Sequence, residues 1–511
     1  MSTSSTSSAP FTELIDLAAE RLGGAVIWAN DDFFAEKENL LKPKAAVFLE
    51  HEYTDRGKWM DGWESRRRRT PGHDLCLIRL GLPGIIRGVV VDTAFFRGNY
   101  PDHCAIEGTV ARPDASPEEL LRPETVWTEL LPKSALKGDS KNLFAVDVNQ
   151  RFTHLRFNIF PDGGVARLRV HGEVVPDLRK LGRGDKELDV AAAESGAKVL
   201  ACSDMFFGVR HNLIMPGRAV NMGEGWETKR RRGPGYDWAL IELCVESTLR
   251  LIEVDTNHFK GNYPDTAMIE GASVRKGEDP GAPGTVWKEI LPRTKLQPHT
   301  RHYYEDELLE RGPFSHLRLN IYPDGGVSRL RVHGTPSWVG LIEARIRRLD
   351  TLPREEVEAE LLSCCGSRAW ARQMAHARPF RDMGQLLARA DALWAALPRE
   401  DWLEAFRAHP KIGEKKAEAQ QSAQAARWSA EEQAGSATPA ASTTTALAEG
   451  NAEYDQKFGH IFIVCATGKT PEEMLSLLRA RLGNSPEIEL PIAAEEQRKI
   501  THIRLEKLLS T

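Results

Sequence analysis

With 511 residues, the chain exceeds the roughly 250–300 at which a single hydrophobic core stops growing, so two to four domains are expected. A hydrophobic share of 41%, a charged share of 28% and a net charge of −5 describe an ordinary globular chain and exclude a dominant nucleic-acid or membrane bias. The seven cysteines (Cys76, Cys104, Cys202, Cys244, Cys364, Cys365, Cys465) are scattered without C-x-x-C spacing, which excludes a disulfide framework or a zinc ribbon and favours a reducing cytoplasm.

The first ten residues, MSTSSTSSAP, are polar and uncharged and read as a disordered tail; no apolar run approaches the 18 or so residues of a membrane span. From residue 11 the sequence is written twice. GWESRRRRTPGHD (Gly62 to Asp74) returns as GWETKRRRGPGYD (Gly225 to Asp237) with nine of thirteen positions identical, and FRGNYPD (Phe96 to Asp102) returns as FKGNYPD (Phe259 to Asp265). TVWTELLP at Thr125 returns as TVWKEILP at Thr285, and FNIFPDGGVARLRVHG (Phe157 to Gly172) as LNIYPDGGVSRLRVHG (Leu319 to Gly334), thirteen of sixteen identical. Because the basic runs Arg66 to Arg69 and Lys229 to Arg232 fall at matching places, they belong to the repeat and do not read as a nucleic-acid patch.

Within each repeat the pattern is of strands. CLIRLGLPGIIRGVVVDTAFF and ALIELCVESTLRLIEVDTNHF are β-branched-rich runs broken by Gly, Pro or Ser, and HLRFNIFPDGGVARLRVHG alternates on both sides of an Asp-Gly-Gly turn, which predicts a β-hairpin. The expected organisation is a β-sandwich of jelly-roll type over 11–173, a linker over 174–190, a second sandwich over 191–336, and a further domain over 341–511. That last domain is expected to be all-α. Met383, Leu386, Leu387, Ala390, Leu393, Trp394 and Leu397 form one helical stripe, and Thr470, Pro471, Glu473 and Gly483 mark the start and stop of another helix. The stretch AGSATPAASTTTALAEG (Ala434 to Gly450) reads as a surface loop or a weak helix.

Taken singly, His409, at the end of a helix before Pro410, reads as a structural histidine, and Ser429 with Glu432 reads as a capping box. Taken together, AHPKIG, WSAEEQAG, NAEYDQKFGHIFIVCATGKT, RLGNSPEIE and KITHIRLEKLL resemble the OHCU (2-oxo-4-hydroxy-4-carboxy-5-ureidoimidazoline) decarboxylase family. The resemblance implies production of (S)-allantoin without a cofactor, with His409 as proton donor and Glu432 as its carboxylate partner. It also implies a substrate site lined by Pro410, Ser429, Gln433, Phe462, Ile463, Val464, Cys465, Ala466 and Arg504. The family often reads C-A-R-G where this chain has Cys465-Ala466-Thr467-Gly468.

The duplicated blocks are similar to those of allantoicases, which hydrolyse allantoate to (S)-ureidoglycolate and urea on two tandem jelly-roll repeats. Such chemistry needs an acid–base pair and a carboxylate clamp. The duplicated candidates are Glu64/Glu227, Asp102/Asp265 and His171/His333, with Arg67/Arg230 and Arg169/Arg331 as clamps. A divalent metal at this site is left open. The two copies diverge at His73, which faces Tyr236 in the alignment, so the halves are not expected to be equivalent. The resemblances imply a bifunctional enzyme acting on small ureide substrates, homo-oligomeric, with no nucleic-acid or membrane partner. The alternative is a decarboxylase carrying a non-catalytic ligand-binding sandwich.

Overall fold

The structure, a computed structural model, describes residues 10–176, 186–275, 277–409, 427–428 and 441–510 and divides into two units, Met1–Leu341 and Ile342–Thr511. The expected tail lies almost wholly outside the described residues.

Each repeat is organised by one 19-residue strand, Asp74–Asp92 in the first and Asp237–Asp255 in the second. In the first, residues 74–85 pair with Arg151–Phe160 and with Ala25–Ala29, while residues 84–92 pair with Arg167–Val174 and with Lys141–Ala145. One strand therefore serves both layers of an antiparallel sandwich. His103–Thr109 and Thr128–Ala135 extend one layer and Ile15–Asp16 extends the other; the second repeat has the same order. Nearly every inward side chain of the long strand is buried, which fits an uninterrupted apolar run covered on both sides.

Three expectations change. The breaks seen in CLIRLGLPGIIRGVVVDTAFF do not end a strand: Pro83 and Gly84 fall where one layer's pairing hands over to the other's. The expected hairpin over HLRFNIFPDGGVARLRVHG does not form either, since Arg151–Phe160 and Arg167–Val174 pair with opposite halves of the long strand and not with each other. The Asp-Gly-Gly segment is a crossing between layers. The second repeat also begins earlier than expected, because Leu188–Asp189 pairs with His333 and Gly334, which takes residues from the linker; 177–185 lie outside the described residues.

The C-terminal unit is helical. Met383–Ala395 starts at Asp382, whose carboxylate accepts from the Gln385 amide, and buries Leu386, Ala390 and Trp394. Pro471–Arg481 has the expected capping box between Thr470 and Glu473. Of the low-complexity stretch, residues 434–440 lie outside the described residues; Ala441–Phe458 is a helix, and its Thr-rich start is carried by burial of Leu447, Tyr454 and Phe458 on one stripe, where packing outweighs propensity. The longest helix, Pro486–Ser510, places Gln497, Thr501 and Arg504 on one face at i, i+4 and i+7. Among the described residues no helix is long and apolar enough to cross a membrane.

Candidate functional sites

In each sandwich the repeated blocks converge. Trp63 and Trp226, fully buried, donate through their indole nitrogens to the carbonyls of Asp31 and Asp204 at 2.8 Å and fix the strand that carries Glu64 and Glu227. The crossing segment then closes on the FRGNYPD turn. Gly164 N–H donates to the Asn99 carbonyl at 2.7 Å, and Gly326 N–H to Asn262 at 2.8 Å. Gly163 and Gly325 both hold φ of +136°, and a Cβ on either would lie 2.7 Å from those carbonyl oxygens, so the Asp-Gly-Gly segment keeps glycine there for reasons of conformation and space.

That closure brings the Asn99 side chain to Glu64, donating at 2.7 Å, and Asn262 to Glu227 in the same way. The duplicated carboxylate–amide pair is thus the meeting point of three of the four repeated blocks. Burial raises the Glu64 carboxyl above its ordinary range although the Asn99 hydrogen bond pulls the other way. In the adjoining basic runs, Arg66 pairs with Asp31 at 2.6 Å and Arg68 with the buried Asp74 at 2.6 Å; Lys229 and Arg231 repeat these pairings with Asp204 and Asp237. Arg67 and Arg230, between them, are exposed and meet no partner among the described residues.

Other sequence candidates fall elsewhere. Asp102 and Asp265 are exposed, and Asp265 pairs with Lys295. Arg331 donates to the Met215 and Gly217 carbonyls at 2.6 Å, and Arg169 likewise holds the carbonyls of Leu168 and Lys42, so both staple a turn to a strand. His171 Nδ1 faces the Leu14 carbonyl at 2.9 Å in the wall of a cleft where the two repeats meet, while His333 Nδ1 lies 3.7 Å from Glu187.

The turn before each heptad carries residues that the sequence reading missed. Phe95 and His258 hold φ of +69° and +72°, a region strained for side chains of this size. Their N–H groups donate to Asp139 at 2.8 Å and His299 at 2.7 Å, themselves at positive φ. The first repeat therefore has Phe and Asp where the second has a histidine pair. The divergence of His73 has a similar consequence: its Nε2 lies 3.1 Å from Asn158 Oδ1, whereas beside Tyr236 the equivalent Asn320 Oδ1 is buried without a partner among the described residues. Among the described residues, no three His, Cys, Asp or Glu side chains form a metal-holding group.

In the helical unit, Arg399–Arg407 buries Phe406 and delivers His409 just past its end. Gly366 makes room for that turn: it has φ of +86°, and a Cβ there would sit 2.6 Å from the Ala408 Cβ. His409 Nε2 is shut off from solvent and has no hydrogen-bond partner among the described residues; the same holds for Gln497 Oε1. Burial, and then the charge of Arg504, pull the His409 imidazole down to about 3, with Gln497 opposing. The ring is therefore neutral at pH 7. Arg504 is itself buried, and Gln497 is anchored through its amide N–H to the Cys365 carbonyl at 3.1 Å. Gln497 was not anticipated, although a polar residue on the stripe of Ala493, Ile500 and Arg504 was the available signal.

Phe462 to Ala466 is neither helix nor strand and pairs with no strand among the described residues. Its backbone is held by side chains: Arg481 donates to the Ile463 carbonyl at 2.8 Å, the Cys465 N–H donates to Glu496 at 2.8 Å, and Lys469 donates to the Cys465 carbonyl at 2.7 Å. The side chains alternate, with Ile463 and Cys465 in one core and Phe462 and Val464 in a second. Arg481 in turn is locked by the fully buried Glu489, which also accepts from Tyr454 and Asn484. Pro410, Ser429, Glu432 and Gln433 lie outside the described residues.

Two tandem sandwiches with a duplicated carboxylate–amide pair, followed by a helical unit with a half-buried imidazole whose Nε2 is shut off from solvent beside a buried cation, define a chain with two candidate sites on two folds. The allantoicase repeat model matches residues 15–175 and 188–337, and the OHCU decarboxylase model matches residues 350–506. A probable allantoicase of Pseudomonas fluorescens is 48% identical over 331 residues, which is 64% of this chain and 98% of that protein. The allantoicase structure from Saccharomyces cerevisiae is 36% identical, with a TM-score of 0.53 over 63% of this chain and 93% of that one. An OHCU decarboxylase crystallised in the presence of (S)-allantoin is 40% identical over 30% of this chain and 99% of that one, with a TM-score of 0.26. The chain belongs to the allantoicase family and carries an OHCU decarboxylase domain behind the repeats.

Proposed function

We propose that the chain is a bifunctional enzyme of ureide catabolism. The sandwiches hydrolyse allantoate to (S)-ureidoglycolate and urea, and the helical unit decarboxylates 2-oxo-4-hydroxy-4-carboxy-5-ureidoimidazoline to (S)-allantoin. The observation that carries the second activity is the convergence of His409, Gln497 and Arg504, with His409 Nε2 and Gln497 Oε1 shut off from solvent.

The chemistry follows from the charges. A carboxylate entering beside Arg504 offsets the cation and adds a negative charge near His409, and both effects raise the imidazole pKa. His409 thereby takes up its proton with the substrate. Loss of CO2 leaves a carbanion delocalised over the ring, and the imidazolium N–H delivers that proton to one face. Glu432 is assigned as the carboxylate that orients the ureido group. No cofactor is required, because the ring is itself the electron sink.

For hydrolysis, water adds to the carbon that loses urea; Glu64, held protonated toward higher pH by burial, gives its proton to the departing urea nitrogen and regains one from that water, and Arg67 receives the allantoate carboxylate. The test is urea release from allantoate by purified full-length protein. Glu64→Gln is expected to lower kcat at least about 100-fold, and Glu227→Gln reads the second copy. Wild-type turnover by Glu64→Gln overturns the assignment.

A further inference from the structure

The cleft between the two repeats has a chemistry that the Glu64 and Glu227 clusters do not use. It encloses about 590 Å³ and is walled on one side by Glu13, Asp16, Arg21 and His171 and on the other by Arg210 and His211. The size is that of a small-molecule pocket. The two repeats are tied across it by Arg210 to Glu13 at 2.9 Å, by Arg21 to Asn212 Oδ1 at 3.3 Å, and by His211 to the Glu13 carbonyl.

The histidine tautomers are fixed by their partners. A carbonyl oxygen only accepts, so His171 Nδ1, facing Leu14, carries its proton, and His211 Nε2, facing Glu13, carries its own. On His211 the remaining lone pair is on Nδ1, buried and without a partner among the described residues. Burial pulls His211 down to about 4, which the Glu13 carbonyl only partly opposes, so this ring stays neutral and accepting at pH 7. Arg21, exposed, keeps the rest of its guanidinium free of protein partners among the described residues.

A ligand that completes this wall presents an N–H donor to His211 Nδ1 and a negative group to Arg21. A carboxylate alone repels the lone pair, and a urea alone leaves the cation unanswered. From this pairing of an unpartnered acceptor nitrogen on His211 with the remaining N–H groups of Arg21, we propose that the repeat junction is a second binding site for a small ureido carboxylate, separate from the Glu64 and Glu227 clusters. The inference rests on the ureide reading above for its ligand class. It also accounts for an asymmetry: at the matching place in the first repeat, Lys37 and Glu38 stand for Arg210 and His211, so no copy of this acceptor wall exists there.

The probe is hydantoate (N-carbamoylglycine), which carries one ureido group and one carboxylate. Calorimetric titration of the full-length chain is expected to show binding, with Arg21→Ala and His211→Phe each weakening one bound equivalent at least about tenfold. Acetate and urea, each with half of the chemistry, are expected not to compete. Urea release from allantoate is measured on the same variants. Retained turnover with lost hydantoate binding establishes a second site. Loss of both moves hydrolysis into the cleft, contradicting the separate-site proposal and the Glu64 assignment while leaving the ureide function standing. An isotherm unchanged in both variants, or equal binding of acetate, overturns the proposal whatever the hydrolytic activity.

Discussion

His409 shows how much of this enzyme is decided by single side chains. Its place after a helix and before Pro410 was legible in the sequence, but its neutrality was not, because that depends on Arg504 and Gln497 arriving from a helix about 90 positions away. The unfolded chain binds a proton on this ring near pH 6.5, and the folded chain only near 3. Between those values the unfolded state holds more protons, so stability falls as pH falls through the window, by up to about 1.4 kcal/mol per pH unit from this group. Urea denaturation followed by helical circular dichroism at pH 7, 6 and 5 is expected to show that slope, and His409→Asn is expected to flatten it. The same distance effect hid His258 and His299: positive φ leaves no mark on a sequence, and these two meet only once the turn is folded.

At the scale of elements, the repeated strings are explained by what they hold together. Spacing and identity made the duplication plain, yet the Asp-Gly-Gly segment reads as a hairpin because a turn between two alternating runs is indistinguishable, in sequence, from a crossing between layers. What distinguishes them is the partner of each strand, a property of the whole sandwich. The crossing is tight: a Cβ at Gly164 would lie 1.9 Å from the Phe96 ring. Gly164→Ala is therefore expected to destabilise the first repeat by more than about 3 kcal/mol, read as a lower denaturation midpoint. An effect under about 1 kcal/mol would mean that the ring is free to move aside. In the helical unit, the segment Phe462 to Ala466 depends on Arg481 and Glu489 instead of a ladder. Arg481→Ala, which leaves Glu489 buried without its cation, is expected to cost about 3–5 kcal/mol, and Arg481→Met combined with Glu489→Gln much less. Equal losses in the two variants would show that the ion pair is not what holds the segment.

For the whole molecule, the chain joins two activities whose reactions are not consecutive. The decarboxylase makes (S)-allantoin, whereas the hydrolase uses allantoate, and a ring-opening hydrolysis must stand between them. The fold gives each activity its own core, with the sandwiches burying Trp63, Phe96 and their repeats and the helices burying Trp370, Trp394 and Phe406. Independence of the two is the central claim, and one paired assay tests it: urea release from allantoate and (S)-allantoin formation from the ureidoimidazoline, on purified full-length wild type and His409→Ala. The account expects wild type to do both, and His409→Ala to keep urea release within about twofold while allantoin formation falls at least about 100-fold. Binding of allantoate without urea release by the wild type, or loss of both activities together in the variant, would contradict it.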